Sequence, residues 1–167
     1  MKAITVKAIV AADDDWVIGY QNKLPWHVPE DLKRFSQLTR GNTVLMGRAT
    51  FDSLPAKFKP LPGRLNVVIS RSLSSPSDNS FLVFRSPEEA FNALQGEGLT
   101  LPSNVVWVVG GEQIYKATRP LWEELFVTRV KGSHKGDAHF PAPGPEFELV
   151  ESEDYPTHSF QRFSRKG

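Results

Sequence analysis

The 167-residue sequence contains no cysteine. That excludes disulfides, thiolate nucleophiles and cysteine-ligated zinc, and it is compatible with a reducing compartment. Excess charge is missing too: 20 Lys and Arg face 19 Asp and Glu, a net charge of +1. A binder of nucleic acid or of an anionic membrane needs a basic footprint that this balance lacks. No apolar run is long enough to span a bilayer. The first apolar stretch, Ile4 to Ala12, is broken by Lys7 and followed by three aspartates, unlike a signal peptide. Internal repeats and low-complexity tracts are absent. No metal site is expected, because His134 and His139 sit on one loop while His27 and His158 lie far off in sequence. With 40% hydrophobic and 23% charged residues, the chain reads as one soluble domain, residues 1–167, with a core of its own.

The stretch from Gly19 to Phe35 organises the rest. Gly19, Asn22 and Pro25 mark a loop. Pro29 then suits a helix's first turn, and Glu30 and Asp31 suit its positive end. At about 100° per residue, Asp31 falls between Leu38 and Phe35 on the apolar face, while Glu30 points away. A buried lone carboxylate is costly unless it is paired or hydrogen-bonded. The helix alone leaves two readings open: an acid satisfied by its own backbone, or a carboxylate that receives a ligand's donors.

Along the chain, Ala3–Ala12 reads as a central buried strand. Asp13-Asp14-Asp15 ends it and reads as a solvated loop, after which Trp16 to Gly19 re-enters the interior. Strands are expected at Asn42–Met46, Leu65–Ser70, Phe81–Phe84, Val105–Val109 and Leu125–Val130, with Leu54 to Gly63 an extended loop. Gly132–His139 is expected to be a loop, and Phe147–Glu153 with Ser159–Ser164 an edge hairpin. Ser86-Pro87-Glu88-Glu89 carries the signals of a helix start. The fold class is therefore α/β: a central mixed, mostly parallel eight-stranded sheet, about four flanking helices and an antiparallel C-terminal hairpin.

Ligands of such sheets bind at the carboxyl ends of strands. Gly47-Arg48, Ser70-Arg71 and Gly110-Gly111 all lie there. Only glycine lets a backbone pass close to a diphosphate. Taken together, the pieces suit a diphosphate on Gly110-Gly111 and the Thr50 helix start, with a further phosphate between Arg48 and Arg71. That fits a phosphorylated dinucleotide such as NADPH. Asp31 would face an apolar pocket walled by Ile9, Leu32, Phe35 and Leu54, and its natural partner is a flat ring with two adjacent N–H donors. Arg64 would hold a carboxylate at the ligand's far end. Burial predicts a raised pKa for Asp31.

At these residues the chain resembles dihydrofolate reductase, of the bacterial single-domain type, over essentially its whole length. The resemblance rests on Val17-Ile18-Gly19, Leu24-Pro25-Trp26, Pro29-Glu30-Asp31-Leu32 with Phe35, and Met46-Gly47-Arg48-Ala49-Thr50. It continues through Leu61-Pro62-Gly63-Arg64, Val109-Gly110-Gly111 with Ile114-Tyr115, and Gly136-Asp137-Ala138-His139-Phe140-Pro141. It implies an oxidoreductase of one-carbon metabolism and tetrahydrofolate biosynthesis that uses NADPH to reduce dihydrofolate, with hydride passing to C6.

By the same resemblance, Asp31 would bind the pterin and promote protonation at N5 through water. Thr128 would bond Asp31, Trp26 would order the water, and Tyr115 would lie near the nicotinamide. Substrate contacts would come from Ile9, Val10, Ala11, Leu24, Leu32, Phe35, Leu54, Leu61, Arg64 and Val109. Cofactor contacts would come from Ala11, Ile18, Gly19, Asn22, Leu24, Gly47, Arg48, Ala49, Thr50, Ser70, Arg71, Arg85, Val109, Gly110, Gly111, Glu112, Gln113, Ile114 and Tyr115. Diaminopyrimidine antifolates would pair with Asp31. A cytoplasmic monomer is expected.

The chain departs from common members at Leu24, where many bacterial ones carry methionine, and at Val10, where alanine is frequent. Glu112-Gln113 stand where some members are basic, and Arg85 would compensate near the adenosine. Two other readings stay open. One is a reductase of the same fold, such as the pyrimidine reductase of riboflavin synthesis. The other is a non-catalytic nucleotide-binding module.

Overall fold

Near-continuous apolar residues need cover on both faces, and the strand β1 (Thr5–Asp13) has it. In the computed structural model, which describes residues 2–21 and 23–167, β1 lies in the middle of the sheet. It runs parallel to β6 (Val105–Gly110) on one side and to β7 (Trp122–Val130) on the other. Beyond β6 come β3 (Thr43–Gly47), β4 (Leu65–Ile69) and β5 (Leu82–Phe84), all parallel. Beyond β7 come β10 (His158–Arg165) and then β9 (Phe147–Asp154), both antiparallel to their neighbours. The order is β5-β4-β3-β6-β1-β7-β10-β9. A separate two-stranded sheet joins β2 (Val17–Gly19) to β8 (Ala138–His139).

Alternation along β1 divides the core. Val6, Ala8 and Val10 face one cluster with Leu45, Leu94, Trp122 and Phe140, whereas Ile9 faces the other with Val44, Met46, Phe51 and Trp107. The helix α3 (Pro87–Gln95) packs Ala90, Phe91 and Leu94 into the first. Its start is capped by Ser86 Oγ, which accepts the Glu89 N–H at 3.1 Å. Glu89 Oε2 reaches back one residue further than the usual capping box, to the Arg85 N–H at 3.2 Å. The helices α1 (Pro29–Thr39) and α2 (Arg48–Ser53) border the second cluster, and α4 (Glu112–Thr118) follows β6.

Four expectations need correction. Asp13 is the last residue of β1 and 0% exposed, not part of a solvated run, because four donors meet its carboxylate. The loop Gly132–His139 ends in β8, whose two residues are held by pairing with β2 rather than by any pattern of their own. The strand expected from Leu125 starts at Trp122, whose side chain is wholly buried. The loop after Leu54 contains a 3-10 turn, Ala56–Phe58. No helix of the described residues is long and apolar enough to cross a membrane.

Candidate active site

The carboxyl ends of β1, β3 and β6 meet at a cleft of about 560 Å³, a size suited to a small organic ligand. The strands contribute Ile9, Val10, Ala11, Met46, Val109, Gly110 and Gly111 to its wall. One rim is the exposed face of α1, with Asp31, Leu32 and Phe35. Leu32 is 52% exposed, so the apolar stripe of α1 is only partly covered by protein. Leu54 and Leu61 complete that side, and Ile18, Gly19 and Leu24 form the mouth. Leu24 is itself 49% exposed.

Asp31 is the one carboxylate deep in this apolar end. Thr128, inward on β7, donates to its Oδ1 at 2.5 Å. Burial raises the Asp31 pKa above the ordinary carboxylate value; the Thr128 hydrogen bond and the charges of Arg34 and His158 oppose this without cancelling it. No side chain caps α1, and Asp31 bonds across to the sheet rather than to its own helix start. That removes the backbone-satisfied reading of this acid.

At the other end, β3 and β6 turn into α2 and α4. Gly110 has φ +121°, and a Cβ there would meet Tyr115 Oη at 3.3 Å. A Cβ on Gly47 would lie 3.1 Å from Ile114, and one on Gly111 would lie 3.4 Å from Thr50 Oγ1. The bare glycines thus bring the two turns together beside Ala49 and Thr50, which both line the cleft. The Gly110–Gly111 peptide is cis. Tyr115 is buried, and its hydroxyl donates to the Ile9 carbonyl at 2.7 Å. Burial, and then the Asp31 charge, push its pKa far above that of an ordinary phenol, so it serves as a neutral donor.

Other expected residues sit around this cleft. Gly47 and Ile114 pack behind its wall. Arg48 bonds Asp52 Oδ2 at 3.1 Å and Ser72 Oγ at 3.3 Å, which ties the β3 turn to the end of β4 beside the exposed Arg71. The Ser70 hydroxyl accepts the N–H groups of Ser72 and Leu73 and so shapes its own turn. Glu112 lines the cleft; Gln113 and Arg85 are exposed outside it. Arg64 donates to Pro62 O at 2.9 Å and Thr39 Oγ1 at 3.0 Å, near the far end of α1. Burial and then the neighbouring Arg40 lower its pKa. Trp26 does not line the cleft and stands edge-on to His134. Asn22 lies outside the described residues.

Lys23, Met46, Ser53, Pro55 and Ala138 also line the cleft and were not singled out from sequence. Met46 was the most legible of these, as the inward residue just before Gly47. Among the described residues no three His, Cys, Asp or Glu side chains converge as metal ligands do.

A family model described as dihydrofolate reductase matches residues 5–165. A dihydrofolate reductase of Mycobacterium leprae is 46% identical over 125 residues, covering 75% of this chain and 72% of that one. One from Staphylococcus aureus is 34% identical, with 98% and 99% covered. The solved structure of a dihydrofolate reductase from Enterococcus faecalis, complexed with NADP(H) and RAB-propyl, superposes with a TM-score of 0.81 at 30% identity, covering 98% and 97%.

Proposed function

Since the chain belongs to the dihydrofolate reductase family and reduces dihydrofolate to tetrahydrofolate with NADPH, we propose the roles of its residues as follows. Asp31 binds the pterin's N3 and 2-amino donors as a bidentate acceptor and promotes protonation at N5. The observation that carries this is the Asp31–Thr128 pair: a buried carboxylate, fixed by one hydroxyl, at the apolar end of the cleft. One oxygen is held by Thr128, leaving acceptor sites for a ring edge.

Leu32, Phe35, Leu54 and Leu61 keep water from the ring and so strengthen the field of Asp31. The carbonyls of Ile9 and Val109 face the pterin edge. Tyr115 already occupies one lone pair of Ile9 O and sets that carbonyl's direction. Trp26 orders the water that reaches N5, and Leu24 with its loop closes the mouth. Arg64 holds the substrate's terminal carboxylate.

The opposite end fits a dinucleotide. Gly110, Gly111 and Gly47 admit a close backbone approach, and Ala49, Thr50 and Arg48 border it. When bound there, NADPH supplies the hydride for C6. The enzyme is proposed to act as a cytoplasmic monomer, and light scattering should return a mass near 18.7 kDa.

The deciding experiment follows NADPH oxidation with dihydrofolate across pH for wild type and Asp31→Asn. Wild type turns over; the variant fails near neutrality and recovers in acid, where the substrate arrives protonated. If the variant matches wild type at every pH, Asp31 has no part in protonation.

A further inference from the structure

We propose that His134 is a positioning residue of the dihydrofolate site, held by Asp13 and acting through Trp26. The inference rests on the role given to Trp26 above. Asp13 is 0% exposed at the end of β1. A carboxylate so placed persists only if its oxygens are met by donors. Oδ1 accepts the N–H groups of Asp15 and Val17, each at 2.9 Å. Oδ2 accepts the His134 N–H at 2.7 Å and lies 3.1 Å from His134 Nδ1. Burial opposes the charge, but these donors outweigh it and hold the Asp13 pKa below the usual value. The carboxylate is therefore an acceptor, which places the ring proton on Nδ1.

Backbone and ring of His134 thus bond one oxygen, and the imidazole has little freedom left. It meets Trp26 at 5.2 Å with an interplanar angle of 67°, the edge-to-face arrangement that aromatic rings favour. Trp26 needs such a neighbour. It lies outside any helix or strand, in the stretch leading to α1, and His134 is its ring partner among the described residues. Its indole N–H is buried with no acceptor among those residues, so no protein hydrogen bond orients it. Neither Asp13 nor His134 lines the cleft. The His134 ring bears on the site through the indole, which stands five positions before Asp31 in the chain. A rival account makes His134 a mere fastener of the segment after Gly132 to β1.

The test compares His134→Ala, His134→Asn and Trp26→Phe, alone and combined, in the intact enzyme. His134→Asn keeps an N–H for Asp13 but offers no ring. It should melt like wild type yet share the kinetic loss of His134→Ala, about tenfold in kcat/KM for dihydrofolate. The Kd for NADPH should hold within about twofold, since the cofactor end is untouched. Both His134 variants should change the Trp26 emission, taken as wild type minus Trp26→Phe. In the Trp26→Phe background neither should cost further activity.

The proposal is overturned if His134→Asn restores melting and kinetics together, or if the loss is as large without Trp26 as with it. If Trp26→Phe alone leaves dihydrofolate kinetics unchanged, the role given to Trp26 fails and takes the proposal with it. If instead Trp26→Phe is impaired and the His134 variants are not, only the present inference fails.

Discussion

Asp13 and Asp31 are both buried, but their surroundings differ. Asp13 meets four donors, and its folded pKa lies below the usual 3.8. It therefore contributes stability above about pH 4 that is lost as pH falls through its folded value. Asp13→Asn, which turns an N–H toward His134, should cost about 1–3 kcal/mol at pH 7. It should also lose less than wild type between pH 5 and pH 3, as read by thermal melts. Asp31 has the opposite sign. Its folded pKa is raised, so the stabilising form is the protonated one, and that stability is lost as pH rises through the folded value. Asp31→Asn should melt higher at pH 7, by about 2–4 °C for each kcal/mol relieved, while its turnover collapses; an unchanged or lower melt would contradict this. The sequence made Asp31 readable because helical periodicity alone sets its direction. Asp13 was unreadable because only two of its donors, the N–H groups of Asp15 and Val17, are local, while Oδ2 is met by His134, 121 positions away.

The elements divide the same way. Parallel strands announced themselves as apolar runs, and α3 by Ser86-Pro87, because those signals are local. The strand β8 and the Trp122 start of β7 depend on partners across the fold. Two substitutions separate scaffold from site. Ser86→Ala removes the cap of α3, on the core cluster away from Leu54 and Phe35, and should cost about 1 kcal/mol. Its steady-state constants should match wild type. Gly110→Ala places a methyl at φ +121° and 3.3 Å from Tyr115 Oη. It should cost about 1–3 kcal/mol of stability and weaken NADPH binding in a fluorescence titration; unchanged binding would separate this turn from the cofactor site.

For the molecule as a whole, the cleft couples ligand to fold. A diaminopyrimidine antifolate at 100 times its Kd should add about 2.7 kcal/mol to stability by mass action. Thermal shift should show this for wild type and a much reduced effect for Asp31→Asn; equal shifts would mean that the ring does not pair with Asp31. The eight-stranded sheet and its open α1 face followed from patterns within single elements. The bond from Arg48 to Ser72 did not, because that partner lies 24 positions away, beyond the end of another strand. The sheet order carries one more consequence. β9 is hydrogen-bonded into the sheet only through β10, which comes after it in the chain. On the ribosome the outermost strand is therefore translated before the strand that anchors it. A released chain that stopped after Asp154 would carry β9 as a loose tail on a sheet still two places short, and eleven more residues, through Arg165, would seat both strands at once.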